Sequence, residues 1–304
     1  MGKKIYLTFD IETIMARKSA SNDYYTAVFL GALFLAEELK QRDLKATFFI
    51  SLSPKTLDIS YVAYSRCIEL LLGVLKQYDN LLLAPHIHAL NLPVDFECSF
   101  DYFSKYTYDQ QVSLLYFAKE FFMKRGICTD VFRPGGFLVN DSYYKALNTA
   151  GFKYSSVMLR DKQPVENMIT GEIEPILPYL ASGDVVEYPL TSVFLKSIKQ
   201  KKELLNFSPD FFSLSSIKYV FENLEYVCLN YHSFSVFLNR FLRENHKGQN
   251  YHNLMYLLFK RNLDKFLAKY SIYTRNDDTM TKNELIRWFD YIVANNYQTY
   301  FIGE

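Results

Sequence analysis

The sequence predicts an α/β fold in which strands and helices alternate along one barrel-like domain. Strand-like runs rich in β-branched and aromatic residues are separated by longer runs whose apolar residues recur every three or four positions. This alternation continues from one end of the chain to the other, which favours a parallel sheet covered by helices. No stretch rich in proline, glycine or serine divides the chain, so residues 1–304 are interpreted as a single domain.

The first predicted unit is a strand, a helix and a second strand. Residues 5–9 are apolar and rich in β-branched and aromatic side chains, which is typical of a buried strand. Residues 24–42 have the apolar spacing of an amphipathic helix, and residues 46–51 read as the next strand. The crossover between the two strands is long enough for parallel pairing.

The same patterns place the remaining elements. Helices are predicted at 60–76, 109–126, 140–150 and 282–295, and strands at 80–84, 130–136, 152–157, 185–190, 226–232 and 297–302. Gly126 and Gly151 are positioned to end two of these helices. A segment at about 240–280, rich in charged and aromatic residues, predicts a helical insertion before the last helix and strand.

Composition limits the classes of function. The 304 residues are 49% hydrophobic, which is ample for a large core, and the net charge of +1 gives no indication of a nucleic-acid partner. No run of 18 or more apolar residues occurs and the N-terminus lacks a signal-peptide pattern, so we expect a cytoplasmic protein without a transmembrane segment. The four cysteines lack zinc-knuckle spacing and are expected to be buried free thiols.

Candidate chemistry recurs where predicted strands end. Asp10 and Glu12 follow the first strand and, two residues apart on an extended chain, point the same way. His86 and His88 follow the third strand, and Arg133 and His232 end later ones. Because the carboxyl ends of parallel strands meet on one face of a barrel, these side chains are expected to converge.

The residue types at these positions suit a metal-dependent hydrolase. Two imidazoles and a carboxylate with one open position are the ligand set of a catalytic zinc or a similar divalent ion. A second carboxylate is then available as a general base and a further histidine as a general acid. Each residue alone also has an ordinary structural explanation. His232 is by itself better read as a core histidine, and Arg133 as a partner in a turn-stabilising ion pair. Asn230 and Ser233 are read as hydrogen-bonding spacers.

Several motifs occur in a fixed order along the chain. They are Leu7-Thr-Phe-Asp10, Leu44-Lys-Ala-Thr-Phe-Phe49, the histidine segment Pro85-His-Ile-His-Ala-Leu-Asn91, Phe132-Arg-Pro-Gly-Gly-Phe137, Leu147-Asn-Thr-Ala-Gly-Phe-Lys-Tyr-Ser-Ser156, Asp184-Val-Val-Glu-Tyr-Pro189, Leu229-Asn-Tyr-His232 and the helix and strand between Ile286 and Phe301. This order resembles the polysaccharide deacetylase (NodB-homology) family over nearly the whole chain, apart from about residues 240–280.

The resemblance implies a distorted (β/α)7 barrel and a divalent metal, commonly zinc, that activates water to attack the acetyl group of a saccharide. By motif, Asp10 takes the position of the catalytic base, Arg133 that of the residue orienting it, and His232 that of the catalytic acid. The metal ligands are assigned to Glu12, His86 and His88.

Two positions depart from the family pattern. The family usually has consecutive aspartates in the first motif, the second binding metal, but this chain has Ile11 there. Glu12 is the expected substitute, with Asp10 as a fallback ligand. The family's second motif usually carries histidines four apart, whereas position 90 is leucine and the pair here is His86 and His88.

Without an export signal, the substrate of a deacetylase is expected to be an intracellular sugar precursor or a lipid-linked saccharide. The departures leave two other functions open beside saccharide deacetylation. One is hydrolysis of a non-peptide C–N bond in a small nitrogenous metabolite, which similar folds support. The other is a glycan-binding or assembly protein on a barrel that has lost catalysis. The oligomeric state is not indicated by the sequence.

Overall fold

The computed structural model describes most of the chain. The described residues are 3–13, 25–55, 59–157, 166–167, 172–173, 177–196, 202–206, 214–237 and 278–304. The helical insertion predicted at about 240–280 lies almost wholly outside the described residues. Within these ranges, no helix has the length and apolar character needed to cross a membrane.

Between residues 4 and 155 the described elements alternate between strands and helices, as predicted, whereas from 154 to 206 the described residues form seven successive strands. The strands are β1 (Lys4–Ile11), β2 (Ala46–Ser51), β3 (Leu81–Ile87), β4 (Val131–Pro134), β5 (Tyr154–Ser155), β6 (Glu166–Asn167), β7 (Glu172–Ile173), β8 (Tyr179–Ser182), β9 (Val185–Glu187), β10 (Ser192–Lys196), β11 (Lys202–Asn206), β12 (Tyr226–His232) and β13 (Thr299–Tyr300). The helices are α1 (Gly31–Lys40), which continues a π-helical turn at Tyr25–Leu30, then α2 (Tyr61–Leu75), α3 (Tyr108–Met123), α4 (Tyr143–Ala150), α5 (Leu214–Asn223) and α6 (Asp278–Ala294).

One curled sheet organises the molecule. Its main path runs β12-β1-β2-β3-β4-β5-β9-β8, and β13 pairs with β1. The strands from β12 to β9 along this path are all parallel, and only β8 is antiparallel to its neighbour. Parallel pairing brings the carboxyl ends of these strands to one side. The predicted α/β fold of distorted (β/α)7-barrel type is confirmed.

The two ends of the parallel sheet are joined by hydrogen bonds. Beyond β9, the backbone N–H of Thr191 donates to the carbonyl of Cys228 on β12 at 2.9 Å. The Thr191 hydroxyl in turn accepts from the Cys228 backbone N–H at 2.9 Å. These bonds satisfy backbone groups that an open sheet edge would leave exposed. The sheet therefore encloses an interior to which β1 and β12 both contribute.

Side chains alternate between two apolar cores. One face of the sheet packs against the helices, and Trp288 and Phe289 of α6 are buried there. The opposite face fills the barrel interior with a smaller cluster that includes Tyr6, Tyr188 and Tyr226. Because successive residues of a strand point to opposite faces, β1 sends its odd-numbered apolar residues to the helices and its even-numbered residues to the interior.

The differences from prediction are local. β3 continues to Ile87, so His86 lies within the strand and not after it, since its backbone pairs with β2 and β4. Helix α5, the antiparallel strand β8 and the hairpins β6–β7 and β10–β11 were not predicted. Cys128 is exposed, so the expectation that all four cysteines are buried is wrong for that residue.

Candidate metal centre

Strand β1 places two carboxylates in the barrel interior. Asp10 and Glu12 are 1% and 3% exposed, and the strand geometry puts both on the inward face with Thr8. In register, Asp10 lies beside His232 of β12, and His86 of β3 lies beside Arg133 of β4. The structure therefore brings together all six residues singled out in the sequence.

Three of these residues form a compact donor set. One carboxylate oxygen of Glu12, Oε2, lies 3.2 Å from Nε2 of His86 and 2.8 Å from Nε2 of His88. One ligand atom from each residue falls within 4.8 Å of the others, and all three residues are buried. Among the described residues, this is the group that can hold a metal ion. The carboxylate that faces the histidines is Glu12, whereas Asp10 is engaged elsewhere.

Both imidazoles are oriented by a bond to their other nitrogen. Nδ1 of His86 donates to the backbone carbonyl of Arg133 at 3.1 Å. Nδ1 of His88 donates to the carboxylate of Asp101 at 2.7 Å. Such bonds fix the tautomer and turn each Nε2 toward Oε2 of Glu12, and metal-binding histidines are commonly oriented by a bond of this kind.

The electrostatics of the donor set favour an anionic carboxylate. Burial opposes ionisation of Glu12, but Lys55 and the two histidines outweigh it and hold the pKa of Glu12 well below its usual value. Burial lowers the pKa of His86, which favours the neutral ring that a metal requires. Burial and Lys55 also disfavour protonation of His88, yet Glu12 and Asp101 leave its pKa raised.

Asp10 is held by an arginine and an amide. An Arg133 guanidinium nitrogen donates to Oδ1 of Asp10 at 2.7 Å, and the Asn230 side-chain amide donates to Oδ2 at 3.1 Å. Burial raises the pKa of Asp10, but Arg133 and the neighbouring histidines bring it below its ordinary value. Asn230 therefore positions the carboxylate, which is a larger role than that of a spacer.

Arg133 is a buried side chain that links several strands beneath the two carboxylates through hydrogen bonds. It is fully buried, and its side chain donates to the carbonyl and hydroxyl of Ser156 at 3.0 and 2.8 Å, to the Thr8 hydroxyl at 2.8 Å and to Asn230 at 3.0 Å, besides Asp10. Its guanidinium also stacks 3.8 Å from the ring centre of Phe49. A planar fork with five donors suits this set of partners and a lysine does not.

His232 lies at the open side of the two carboxylates. Its side chain is 22% exposed, and Nε2 is 3.9 Å from Oδ2 of Asp10 and 3.7 Å from Oε1 of Glu12. The ring stacks on Phe234 at a centroid distance of 4.9 Å. This partly exposed position between acids differs from that of a core histidine.

The Pro-Gly-Gly sequence after Arg133 has a steric reason. A Cβ at Gly135 would lie 2.6 Å from Nδ1 of His88, so any side chain there would push the ring away. Gly136 has a φ of +66°, which glycine adopts without strain. The motif therefore allows the chain that follows β4 to pass close beside His88.

Two charged residues of the site were missed in the sequence. Asp101 reaches His88 from a loop between β3 and α3. Lys55, just after β2, places its ammonium 2.8 Å from Oε1 of Glu12. Neither lies in a strand or a recognisable motif. The one available signal for Asp101 was an acid within about 15 residues of a histidine pair, which is too common to be specific.

The donor set fits a divalent ion. Two imidazole nitrogens and one carboxylate oxygen converge from buried side chains, and both rings carry an orienting partner. This mixture of nitrogen and oxygen donors is found at catalytic zinc sites with an open position. Glu12 and His88 therefore reach the donor set although positions 11 and 90 are Ile and Leu.

Comparison with known proteins gives the fold but no sequence family. No family model and no curated protein matches the chain. A protein from Mycobacterium smegmatis assigned as a polysaccharide deacetylase aligns with 99% of this chain and 94% of its own, at 15% identity and a TM-score of 0.50. The chain shares its fold with polysaccharide deacetylases.

Other enzymes have the same fold. A protein from Parabacteroides distasonis assigned as a glycoside hydrolase/deacetylase aligns with 99% of this chain and 69% of its own, at 10% identity and a TM-score of 0.53. A 4-α-glucanotransferase from Thermococcus litoralis matches at the same identity and TM-score, over 99% of this chain and 40% of its own. At such identities the likeness establishes the fold alone, so activity has to be argued from the side chains.

Proposed function

We propose that this chain is a metal-dependent hydrolase that removes an acetyl or similar acyl group from a saccharide. The main support is that ligand atoms of Glu12, His86 and His88 converge on one point. A buried ion pair between Asp10 and Arg133 lies beside them. This convergence lies at the carboxyl ends of parallel strands in a fold shared with polysaccharide deacetylases. The donor set favours zinc as the ion.

Each remaining polar residue has a part in the proposed reaction. When bound, the ion polarises a carbonyl and lowers the pKa of water. Asp10 accepts the proton of the attacking water, and its Oδ2 is the oxygen that faces His232. Arg133 and Asn230 hold that carboxylate through one hydrogen bond to each oxygen. His232 donates a proton from Nε2 to the departing amine or alcohol, since its ring is the partly exposed one.

The proposal is tested by metal content and turnover measured together. The full chain is purified without added metal, analysed for bound ions, and assayed for acetate release from N- and O-acetylated saccharides before and after chelation. We expect about one divalent ion per chain, loss of activity with chelator, and recovery with Zn²⁺. Asp10→Asn replaces the base with a near-isostere, and this variant is expected to retain the ion and lose turnover.

The same experiment separates the competing functions. Activity on small amides with none on acetylated saccharides would assign the chain to C–N bond hydrolysis. Binding of a glycan by a protein that holds no metal would favour an assembly role, which Ile11 and Leu90 at the family's ligand positions suggest. Turnover by Asp10→Asn at the parental rate would contradict the base assigned here.

A further inference from the structure

The side chain of Lys55 places a positive charge inside the candidate metal centre. The ammonium of Lys55 lies 2.8 Å from Oε1 of Glu12, and the lysine side chain is only 9% exposed. The other carboxylate oxygen faces His86 and His88. The proposed reaction assigns no task to this lysine, although it contacts a residue assigned to the metal.

The backbone holds Lys55 in place. Its φ is +58°, a left-handed conformation that a residue with a long side chain adopts only when the surroundings enforce it. The Lys55 backbone N–H donates to the Ser53 hydroxyl at 3.1 Å, and that hydroxyl donates to the carbonyl of Leu90, two residues after His88. On the other side, the Thr13 hydroxyl donates to the Pro54 carbonyl at 2.8 Å. The loop that carries the lysine is thus tied to the segments following β1 and β3.

The placement has an electrostatic consequence. A divalent ion at the donor set and the ammonium of Lys55 both draw on the charge of the single Glu12 carboxylate. A bound ion and the Lys55 ammonium would also repel each other, because the site is buried and screening by water is weak. Binding of the ion must therefore weaken or displace the Lys55–Glu12 pair.

We propose that Lys55 competes with the divalent ion for Glu12 and thereby limits how tightly the centre holds that ion. This inference rests on the proposed function, since it concerns the same centre. It predicts that removing the ammonium increases the affinity for the ion. A purely orienting partner of a ligand would have the opposite effect, because losing such a partner weakens binding.

The experiment measures Zn²⁺ affinity of the full chain by competition with a chromophoric chelator at fixed pH. Lys55→Met removes the charge and keeps the length of the side chain, and Lys55→Gln is a second neutral variant. Both retain a Cβ, so backbone strain is unchanged. Lys55→Arg retains the charge. Lys124→Met, on a pair whose lysine side chain is 68% exposed, controls for net charge.

We expect both neutral variants to bind Zn²⁺ at least about tenfold more tightly than wild type, because charges this close interact strongly even when screened. Lys55→Arg and Lys124→Met are expected to stay within about threefold of wild type, since each leaves a positive charge at position 55. The thermal midpoint of each metal-free protein is recorded, and it should fall in the neutral variants while its rise on adding Zn²⁺ becomes larger.

The outcomes separate this inference from the proposed function. Equal or weaker Zn²⁺ affinity in the neutral variants, with binding by wild type, overturns the competition alone. Binding by neither wild type nor variants overturns the metal centre itself and the competition with it. Binding by the neutral variants but not by wild type supports competition by Lys55 and contradicts a metal-dependent wild-type enzyme.

Discussion

The Asp10–Arg133 pair predicts that Asp10→Asn lowers stability when Arg133 is present and raises it when Arg133 is replaced by Met. Arg133 is fully buried, and Arg133→Met would leave the Asp10 carboxylate in the interior without its counter-ion. Removing one partner of a buried ion pair costs about 3–5 kcal/mol. Asp10→Asn alone is expected to cost a similar amount, about 3–5 kcal/mol, because it leaves the buried Arg133 guanidinium without its counter-ion.

Combining the two substitutions should reverse the effect at position 10. In the Arg133→Met background, Asp10→Asn removes the unpaired charge, so we expect it to restore about 1–3 kcal/mol of the lost stability. Urea denaturation of the four proteins at pH 7 with chelator present gives each free energy of unfolding by linear extrapolation. The chelator keeps metal binding from contributing.

A surface pair supplies the control. Arg287 lies 3.9 Å from Glu284 with its side chain 68% exposed, so Arg287→Met is expected to change stability by less than about 0.5 kcal/mol. If Asp10→Asn destabilised the protein equally in both backgrounds, the two side chains would be energetically independent. The ion pair between Asp10 and Arg133 would then contribute nothing to stability, contrary to the reasoning above.

Three further predictions concern catalysis, metal affinity and pH. His232→Ala should lower kcat by about 10²–10⁴-fold, most for the poorest leaving groups, and a uniform loss across a leaving-group series would count against the acid role. Asp101→Asn should weaken Zn²⁺ binding by about 10–100-fold in a chelator competition, and unchanged affinity would show that its bond to His88 is not orienting. Burial raises the pKa of Glu187 from 4.5 to about 7, so the folded protein keeps a proton that the unfolded chain loses. Stability should therefore fall as pH rises through that interval, by up to about 3 kcal/mol relative to Glu187→Gln, and a pH-independent difference in urea unfolding would refute this.

Much of the fold could be predicted from local pattern. β2 and β12 coincide with their predicted ranges, because both are short apolar runs in which β-branched or aromatic residues are buried along the strand. Helix α4 ends at Gly151, whose left-handed conformation gives a recognisable stop. The strands β5 and β9 are shorter than predicted, although backbone hydrogen bonds from Tyr188 to Ser155 and from Leu190 to Val157 continue beyond their ends.

The candidate site was predictable only in part. Asp10, Glu12, His86, Arg133 and His232 lie in or beside strands, so their alternation and the parallel sheet are enough to bring them to one face. Asp101 and Lys55 come from loops, and loop conformation depends on contacts distant in sequence. Whether Glu12 or Asp10 faces the histidines could not be read from sequence, because it depends on which carboxylate Arg133 takes.

The contacts of Asp10 also bear on how the protein folds. Its partner Arg133 is 123 residues away along the chain, and its partner Asn230 is 220 residues away. Closing loops of this size is entropically costly, and proteins dominated by such distant contacts fold slowly. A nascent chain that has not yet produced β12 lacks the Asn230 bond to Asp10. Arg133 can therefore bind Asp10 before the second half of the chain is made, but the full set of bonds to this carboxylate requires synthesis through Asn230.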